Sequence, residues 1–300
     1  MKLPSVGIIG SGFVGGSMAA CFKHYTDVKV YDVNPLRAVH NYFDVIAQDV
    51  LFVCLPTPMK KDGRVDTSIV TSALSTLANA VQEQFKVVII KSTIPPKDLV
   101  GMAKLFTPTL HVIYSPEFLT ERTAELDMQQ TNRLFFGDYM ADRPELKHES
   151  DHKAYNMALV QTLFGGRFPQ VPQAWVSMEE ASLIKYVTNA FFATKISFMN
   201  EVAQIAEAYG VEPMSLIGNV LLDQRIGRSH FQVPGHDGRP GFGGHCFPKD
   251  VNGYMHIAED VGVQPLMVQA SWVKNLEVRP ERDWEQDKGR AVSTDYEDKS

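Results

Sequence analysis

Residues 6–22 read "VGIIGSGFVGGSMAACF". The opening is short, apolar and rich in β-branched residues, a glycine-rich stretch follows, and apolar residues resume from Phe13. That order predicts a strand, a tight turn and the start of a helix. Gly10, Gly12 and Gly15 stand at the G-x-G-x-x-G spacing. There the first glycine permits the turn, the second lets backbone approach a pyrophosphate, and the third lets helix and strand pack closely. The spacing is common when met alone. It gains meaning from "VKVYDV" at 28–33, a second strand candidate that reaches Asp32, about 20 residues on, where a carboxylate can bind ribose hydroxyls. The expectation is a dinucleotide-binding βαβ unit using Gly10, Gly12, Phe13, Val14, Gly15 and Asp32. An acid at position 32 with no arginine directly after it favours NAD over NADP.

Further strand candidates are "DVLFVCL" at 49–55, "KVVIIKST" at 86–93, "HVIYS" at 111–115 and "RLFFG" at 133–137, with helical stretches between several of them. The predicted fold class is α/β, an N-terminal Rossmann-type doubly wound parallel sheet followed by a helical domain. In such sheets ligands bind at the carboxyl ends of strands. That rule points to "PTP" at 56–58, "STIPP" at 92–96 and "SPEFLTE" at 115–121. From Met178 the chain is apolar on nearly every helical face as far as Gly210, a natural C-cap. A helix of that length needs cover on several sides, which predicts a central helix partly buried against a second subunit. The expected domains are 1–175 for NAD, 176–276 helical, and a charged, weakly ordered tail at 277–300.

Composition narrows the function classes. Three hundred residues at 44% hydrophobic content suffice for roughly two domains with their own cores. The net charge of -6, from 29 basic and 35 acidic residues, offers no basic surface on the scale that nucleic acid needs. No apolar run reaches the roughly 18 residues of a membrane span, and the glycine-broken N-terminus is too short for a secretory signal. The expectation is a cytoplasmic protein. Cys21, Cys54 and Cys246 are odd in number and widely spaced, which fits neither a disulfide framework nor a metal site.

Cys21 and Cys54 lie in apolar settings, as core cysteines do. Cys246 differs. It lies in "GFGGHCFPKD", residues 241–250, a glycine-rich turn where backbone can approach a ligand and a thiolate can act as nucleophile. Lys185 and Asn189 are four residues apart on the long helix, hence on one face. Glu117 and Glu121 are expected on one face of a short helix begun by Ser115 and Pro116.

Taken together, "GIIGSGFVG", "LPTP", "KSTIPP", "SPEFLTE", "LIKYVTNAF", "DQRIG" and "GFGGHCFPKD" resemble the UDP-glucose/GDP-mannose dehydrogenase family. The similarity runs from Val6 to about Gly262. It implies oxidation of the C6 alcohol of a nucleotide sugar, such as UDP-glucose, to the carboxylate with two NAD and no free aldehyde. The resemblance makes Cys246 the residue that carries the thiohemiacetal and thioester. It gives Lys185 and Asn189 the developing oxyanion, Thr93 and Asp250 the catalytic water, and Glu121 base chemistry in thioester hydrolysis. By the same resemblance Arg37, Thr57 and Lys249 contact the cofactor. Glu117, Phe118, Leu119, Phe242 and Gly243 surround the substrate, and Arg225 reaches it across a homodimer.

Three departures from the family pattern stand out. Family chains continue into a second nucleotide-binding-type domain, which is expected to be missing here. Only about 17 residues separate Asp32 from the next strand candidate, so one sheet element is expected to be missing. Arg122 stands where glycine is usual. Two other readings stay open, a single-step 3-hydroxyacid dehydrogenase, which needs no cysteine, and a non-catalytic NAD-binding protein.

Overall fold

A computed structural model describes residues 3–81, 85–106, 109–139 and 150–296. Strands at Val6–Ile9 (β1), Val28–Tyr31 (β2), Val50–Val53 (β3), Lys86–Ile90 (β4), Leu110–Tyr114 (β5), Leu134–Asp138 (β6) and Gln173–Val176 (β7) pair in the order β2-β1-β3-β4-β5-β6-β7. Every step is parallel except β5–β6. The parallel expectation therefore holds through β5, and the last two strands run the other way. Between β5 and β6 the longest helix is Ala124–Gln129 (α5), not the full crossover helix that parallel neighbours usually require. Strand β7 was not among the sequence candidates.

Strands β1, β3, β4, β5 and β6 are largely buried on both faces because their side chains alternate between two apolar layers. Val6, Ile8, Val50, Phe52, Val87 and Ile89 meet residues of Phe13–Phe22 (α1), α5 and Ser150–Arg167 (α6). Leu51, Val53, Val88, Ile90 and Val112 meet residues of Ser68–Val81 (α3) and Pro96–Phe106 (α4). The helix labelled α2, Tyr42–Ile46, is short and capped by Asn41, whose side chain accepts from Asp44 N. It is the only regular element between β2 and β3, so β2 is the edge of the sheet. Val39 and His40 donate to Val30 O, and the His40 ring accepts from Val30 N at 3.1 Å. These contacts occupy polar groups that an edge strand would otherwise present to another chain.

The helix Met178–Ala208 (α7) forms as the apolar pattern predicts. The chain divides into two compact units, and the division falls inside α7 rather than ahead of it. One unit takes residues up to Thr57 and Thr67–Lys185; the other takes Pro58–Asp66 and the chain from Tyr186 onward. The second unit contains Pro213–Val220 (α8), Phe247–Asp260 (α9) and Leu266–Val278 (α10). Its core includes Ala190, Ala193, Phe242, Val251 and Val268.

The weakly ordered tail expected from Glu277 onward is corrected by the structure as far as Tyr296. Trp284, Ala291, Val292 and Tyr296 are buried with Met59, and Met59 exchanges backbone hydrogen bonds with Ala291 O and Ser293 N. A high density of charge hid these few apolar anchors. Residues 297–300 lie outside the described residues. Among the described residues no helix is long and apolar enough to cross a membrane.

Candidate active site

In the first unit the glycine turn closes β1 onto α1. Gly10 has φ of +95°, and a Cβ there would lie 2.4 Å from Cys54 O. A Cβ on Gly15 would lie 1.9 Å from Gly10 O, so only glycine lets α1 sit this close to the strand. Gly12 is different: a Cβ there meets nothing within 4 Å. It is the N-cap of α1, with no side-chain cap and no acid in the first turn. The open side of Gly12, the uncapped amides and the helix dipole suit a pyrophosphate. Asp32 is fixed by Ser11 N at 2.7 Å and Asn34 N at 2.8 Å, which leaves carboxylate lone pairs for ribose hydroxyls. The residues present thus fit a dinucleotide. Phe13 and Val14 begin α1, Thr57 is buried, and Arg37 is exposed on the turn after β2.

Past the ends of β4 and β5 lies a buried polar cluster. Lys185 Nζ donates to Glu117 Oε1 at 3.0 Å, and Leu119 N donates to Glu117 Oε2 at 2.6 Å. Thr93 is buried nearby in sequence to Ser92, which bridges to Leu55 through its O and N. Phe118 carries the Arg133 guanidinium 4.5 Å and Lys185 Nζ 5.6 Å from its ring centre. The helix expected at 115–121 does not form. Glu117 takes the Leu119 amide with its own side chain, a local bond that competes with helix, and Glu121 only opens the 3₁₀ turn Glu121–Thr123. Glu117 and Glu121 therefore do not share a helical face: Glu117 is buried, whereas Glu121 and Arg122 are exposed.

Lys91 was missed by sequence reasoning, although a lysine closing the apolar run "VVII" was a visible signal. It is buried and donates to Ser115 Oγ at 3.1 Å and Pro116 O at 3.2 Å. Burial pulls its ammonium down to about 8, against the opposing charges of Cys54 and Glu117. Burial likewise pushes the Cys54 thiol up to about 12, with Lys91 opposing. Cys54 is partly buried and packs against the core layer under α1 and α6, as its core reading expects.

In the second unit, Cys246 is the N-cap of α9, with Pro248 in the first turn and Asp250 N donating to Cys246 O. Position and dipole there favour an anion. Asp250 is buried between two donors, Asn189 Nδ2 at 2.5 Å and Lys249 Nζ at 2.5 Å. The glycine-rich approach needs its glycines: Gly241 and Gly244 have φ of +70° and +71°. Phe242 is buried in the core of this unit, while Gly243 is partly exposed. Arg225 is exposed and paired with Asp223. Its loop is held by Lys195, which donates to Ile226 O and Gly227 O. The structure thus joins Lys185 with Glu117, and Asn189 with Asp250 and Lys249. It leaves Glu121, Arg37 and Arg225 on the surface.

Comparison with known proteins also divides the chain in two, with the second match beginning at the start of α7. Residues 34–149 match the UDP-glucose/GDP-mannose dehydrogenase family, NAD binding domain, and residues 179–276 match its central domain. A UDP-glucose 6-dehydrogenase of Haloferax volcanii is 29% identical, with 92% of this chain and 70% of that protein covered. One of Rickettsia typhi is 31% identical, with 92% and 67% covered. A solved UDP-glucose dehydrogenase from Pyrobaculum islandicum superposes with a TM-score of 0.79 at 26% identity, over 95% of this chain and 70% of that one. The match spans about two thirds of the length of some of these curated relatives and about half of that of others. Two matched domains in order, on the expected fold, show that the chain belongs to the UDP-glucose/GDP-mannose dehydrogenase family.

Proposed function

We propose that the chain is a UDP-glucose 6-dehydrogenase-like enzyme that oxidises the C6 alcohol of a nucleotide sugar to the carboxylate. The balance is one alcohol, two NAD+ and one water giving one carboxylate, two NADH and three protons. Gly10, Gly12, Phe13, Val14, Gly15 and Asp32 hold the dinucleotide, with Arg37, Thr57 and Lys249 as further contacts. Bound there, NAD supplies the capacity to accept hydride from carbon.

The chain's own groups do the rest. Cys246 Sγ adds to the C6 aldehyde carbonyl, forming the C–S bond of a thiohemiacetal as the carbonyl oxygen gains a proton. Oxidation of that carbon leaves a thioester. Lys185 and Asn189 stabilise negative charge developing on oxygen, an effect that grows where water is excluded. Thr93 and Asp250 hold the water that cleaves the thioester, Glu121 takes its proton, and the Cys246 thiolate leaves. Glu117, Phe118, Leu119, Phe242 and Gly243 line the sugar.

The observation that carries this reading is Cys246 at the N-cap of α9, one turn before an Asp250 held by Asn189 and Lys249. Mass spectrometry of enzyme acid-quenched during turnover of UDP-glucose tests it. A sugar adduct on Cys246, absent when NAD is omitted, is the expected result; turnover to the acid with Cys246 never modified and with Cys246→Ser fully active would contradict it.

The reading includes a homodimer in which Arg225 acts on the partner's substrate. Support comes from α7, where Val187, Phe191, Phe198 and Ile205 are exposed at spacings of four and seven that form one stripe. Reduced thiols and NAD dependence fit the cytoplasm.

A further inference from the structure

The segment after α10 is attached to the Cys246 loop by a set of polar contacts that the proposed chemistry does not use. Arg279, whose side chain is only 3% exposed, donates from Nε to Asp283 Oδ1 at 2.6 Å and from Nη2 to Asp237 Oδ2 at 2.6 Å. Its Nη1 also reaches Pro240 O at 3.3 Å. The guanidinium lies close against Gly243: a Cβ there would fall 2.5 Å from Arg279 Nη2 and 2.6 Å from Asp283 Oδ1. Asp283 Oδ2 in turn accepts from Gly244 N at 3.4 Å. Burial acts to raise the Asp237 and Asp283 carboxyls, but hydrogen bonding and charge from Arg279 outweigh it and hold both below the usual range.

Four residues further on, Asp287 Oδ2 contacts Nδ1 of His245, the residue directly before Cys246. Between the two aspartates lies Trp284, 1% exposed and packed on Trp272 with ring centres 5.4 Å apart. The acids are thus spaced around a buried anchor and cannot drift from the loop independently. Asn275 completes the grip from α10, accepting from Phe242 N at 2.7 Å and donating to Phe242 O at 3.0 Å.

We infer that Arg279, Asp283 and Asp287 are positioning residues, a clamp from the C-terminal segment that fixes the 241–246 loop so that Cys246 Sγ is presented for attack. The inference rests on the proposed role of Cys246. Asp283 holds the part of the loop that also lines the sugar, whereas Asp287 holds His245, next to the nucleophile; loss of the Asp287 contact should therefore fall mainly on kcat, since small displacements of a nucleophile are costly.

The experiment compares Asp283→Asn, Asp287→Ala and Asp287→Glu with the unmodified chain and with Cys246→Ser. Three quantities are read: kcat and KM for UDP-glucose, NAD affinity, and the rate at which iodoacetamide alkylates Cys246, located by peptide mass spectrometry. Burial raises the Cys21 and Cys54 thiols, so labelling at Cys246 stands out. Asp283→Asn and Asp287→Ala should each lower kcat and slow alkylation by about tenfold or more, with NAD affinity within about twofold and circular dichroism unchanged, and with KM within about twofold for Asp287→Ala. Asp287→Glu should recover most of the loss. If Cys246→Ser is inactive while both variants turn over and alkylate like the unmodified chain, the clamp is overturned and the proposed role of Cys246 stands. Full acid production by Cys246→Ser overturns both. Should Asp283→Asn not fold, Asp287→Ala decides alone, since its carboxylate is a third exposed.

Discussion

Lys185 and Glu117 form a buried ion pair, 3.0 Å from Nζ to Oε1, with side chains 4% and 6% exposed. Removing one partner strands the other in low dielectric, which costs about 3–5 kcal/mol in comparable buried pairs. Glu117→Gln and Lys185→Met should each lower stability by an amount in that range. The double variant should recover part of the loss, with a coupling of about 1–3 kcal/mol. Urea unfolding of the four proteins measures it; strict additivity would mean that the pair contributes no mutual stabilisation.

Lys91 makes a pH prediction. Its folded pKa of about 8 lies below the ordinary 10.5, so between those values the unfolded chain binds more protons than the folded one, and stability gains with rising pH. Below pH 8 both states are charged and the penalty of burying the ammonium is present in full. The stability difference between the unmodified chain and Lys91→Met should therefore shift in favour of the unmodified chain from pH 8 to 10.5, by up to about 3 kcal/mol. Titrations common to both proteins cancel. A flat difference across that window would contradict a depressed Lys91.

The two inner glycines of the turn should separate folding from cofactor binding. Gly15→Ala drives a methyl into Gly10 O and should cost about 1–3 kcal/mol, as overpacking does. Gly12→Ala meets open space on an ordinary φ of -73°, so the melting temperature should hold while NAD affinity falls by about tenfold or more, roughly 1.4 kcal/mol. Calorimetric titration beside thermal melts checks both; unchanged NAD affinity in Gly12→Ala would place the dinucleotide elsewhere.

The sheet was legible because its signals are local. Glycine spacing at 10, 12 and 15 and apolar runs of four or five residues specify β1 to β6 without reference to distant contacts. Strand β7, "QAWV", is only half-buried and follows a proline-flanked turn at 169–172, so no run announced it. Glu117 was legible as a candidate but not in its setting, since its bond to Lys185, 68 residues away, depends on tertiary structure. The stretch after Glu277 misled for a related reason. Charge density predicts disorder when charges are solvated, but here Arg279 spends its charge on Asp237 and Asp283, and Trp284 supplies the anchor.

Subunit sharing is tested by the exposed stripe on α7. Phe191→Asp and Phe198→Asp place charge on residues 64% and 57% exposed, so the fold should survive while sizing and light scattering shift from dimer to monomer. Mixing a Cys246→Ser chain with an Arg225→Ala chain should restore part of the activity that each lacks. Mixed activity no greater than the sum of the two separate mutants would remove Arg225 from the partner's site.

The central claim is that one chain carries an alcohol through two oxidations, the second of them on the thiohemiacetal held by Cys246. The direct measurement is the number of NADH formed per UDP-glucose consumed to completion, followed by absorbance with the sugar products quantified in the same sample. The account predicts two NADH per sugar, with the acid as product and no free aldehyde. One NADH per sugar would contradict it and favour the single-step hydroxyacid-dehydrogenase chemistry that needs no cysteine.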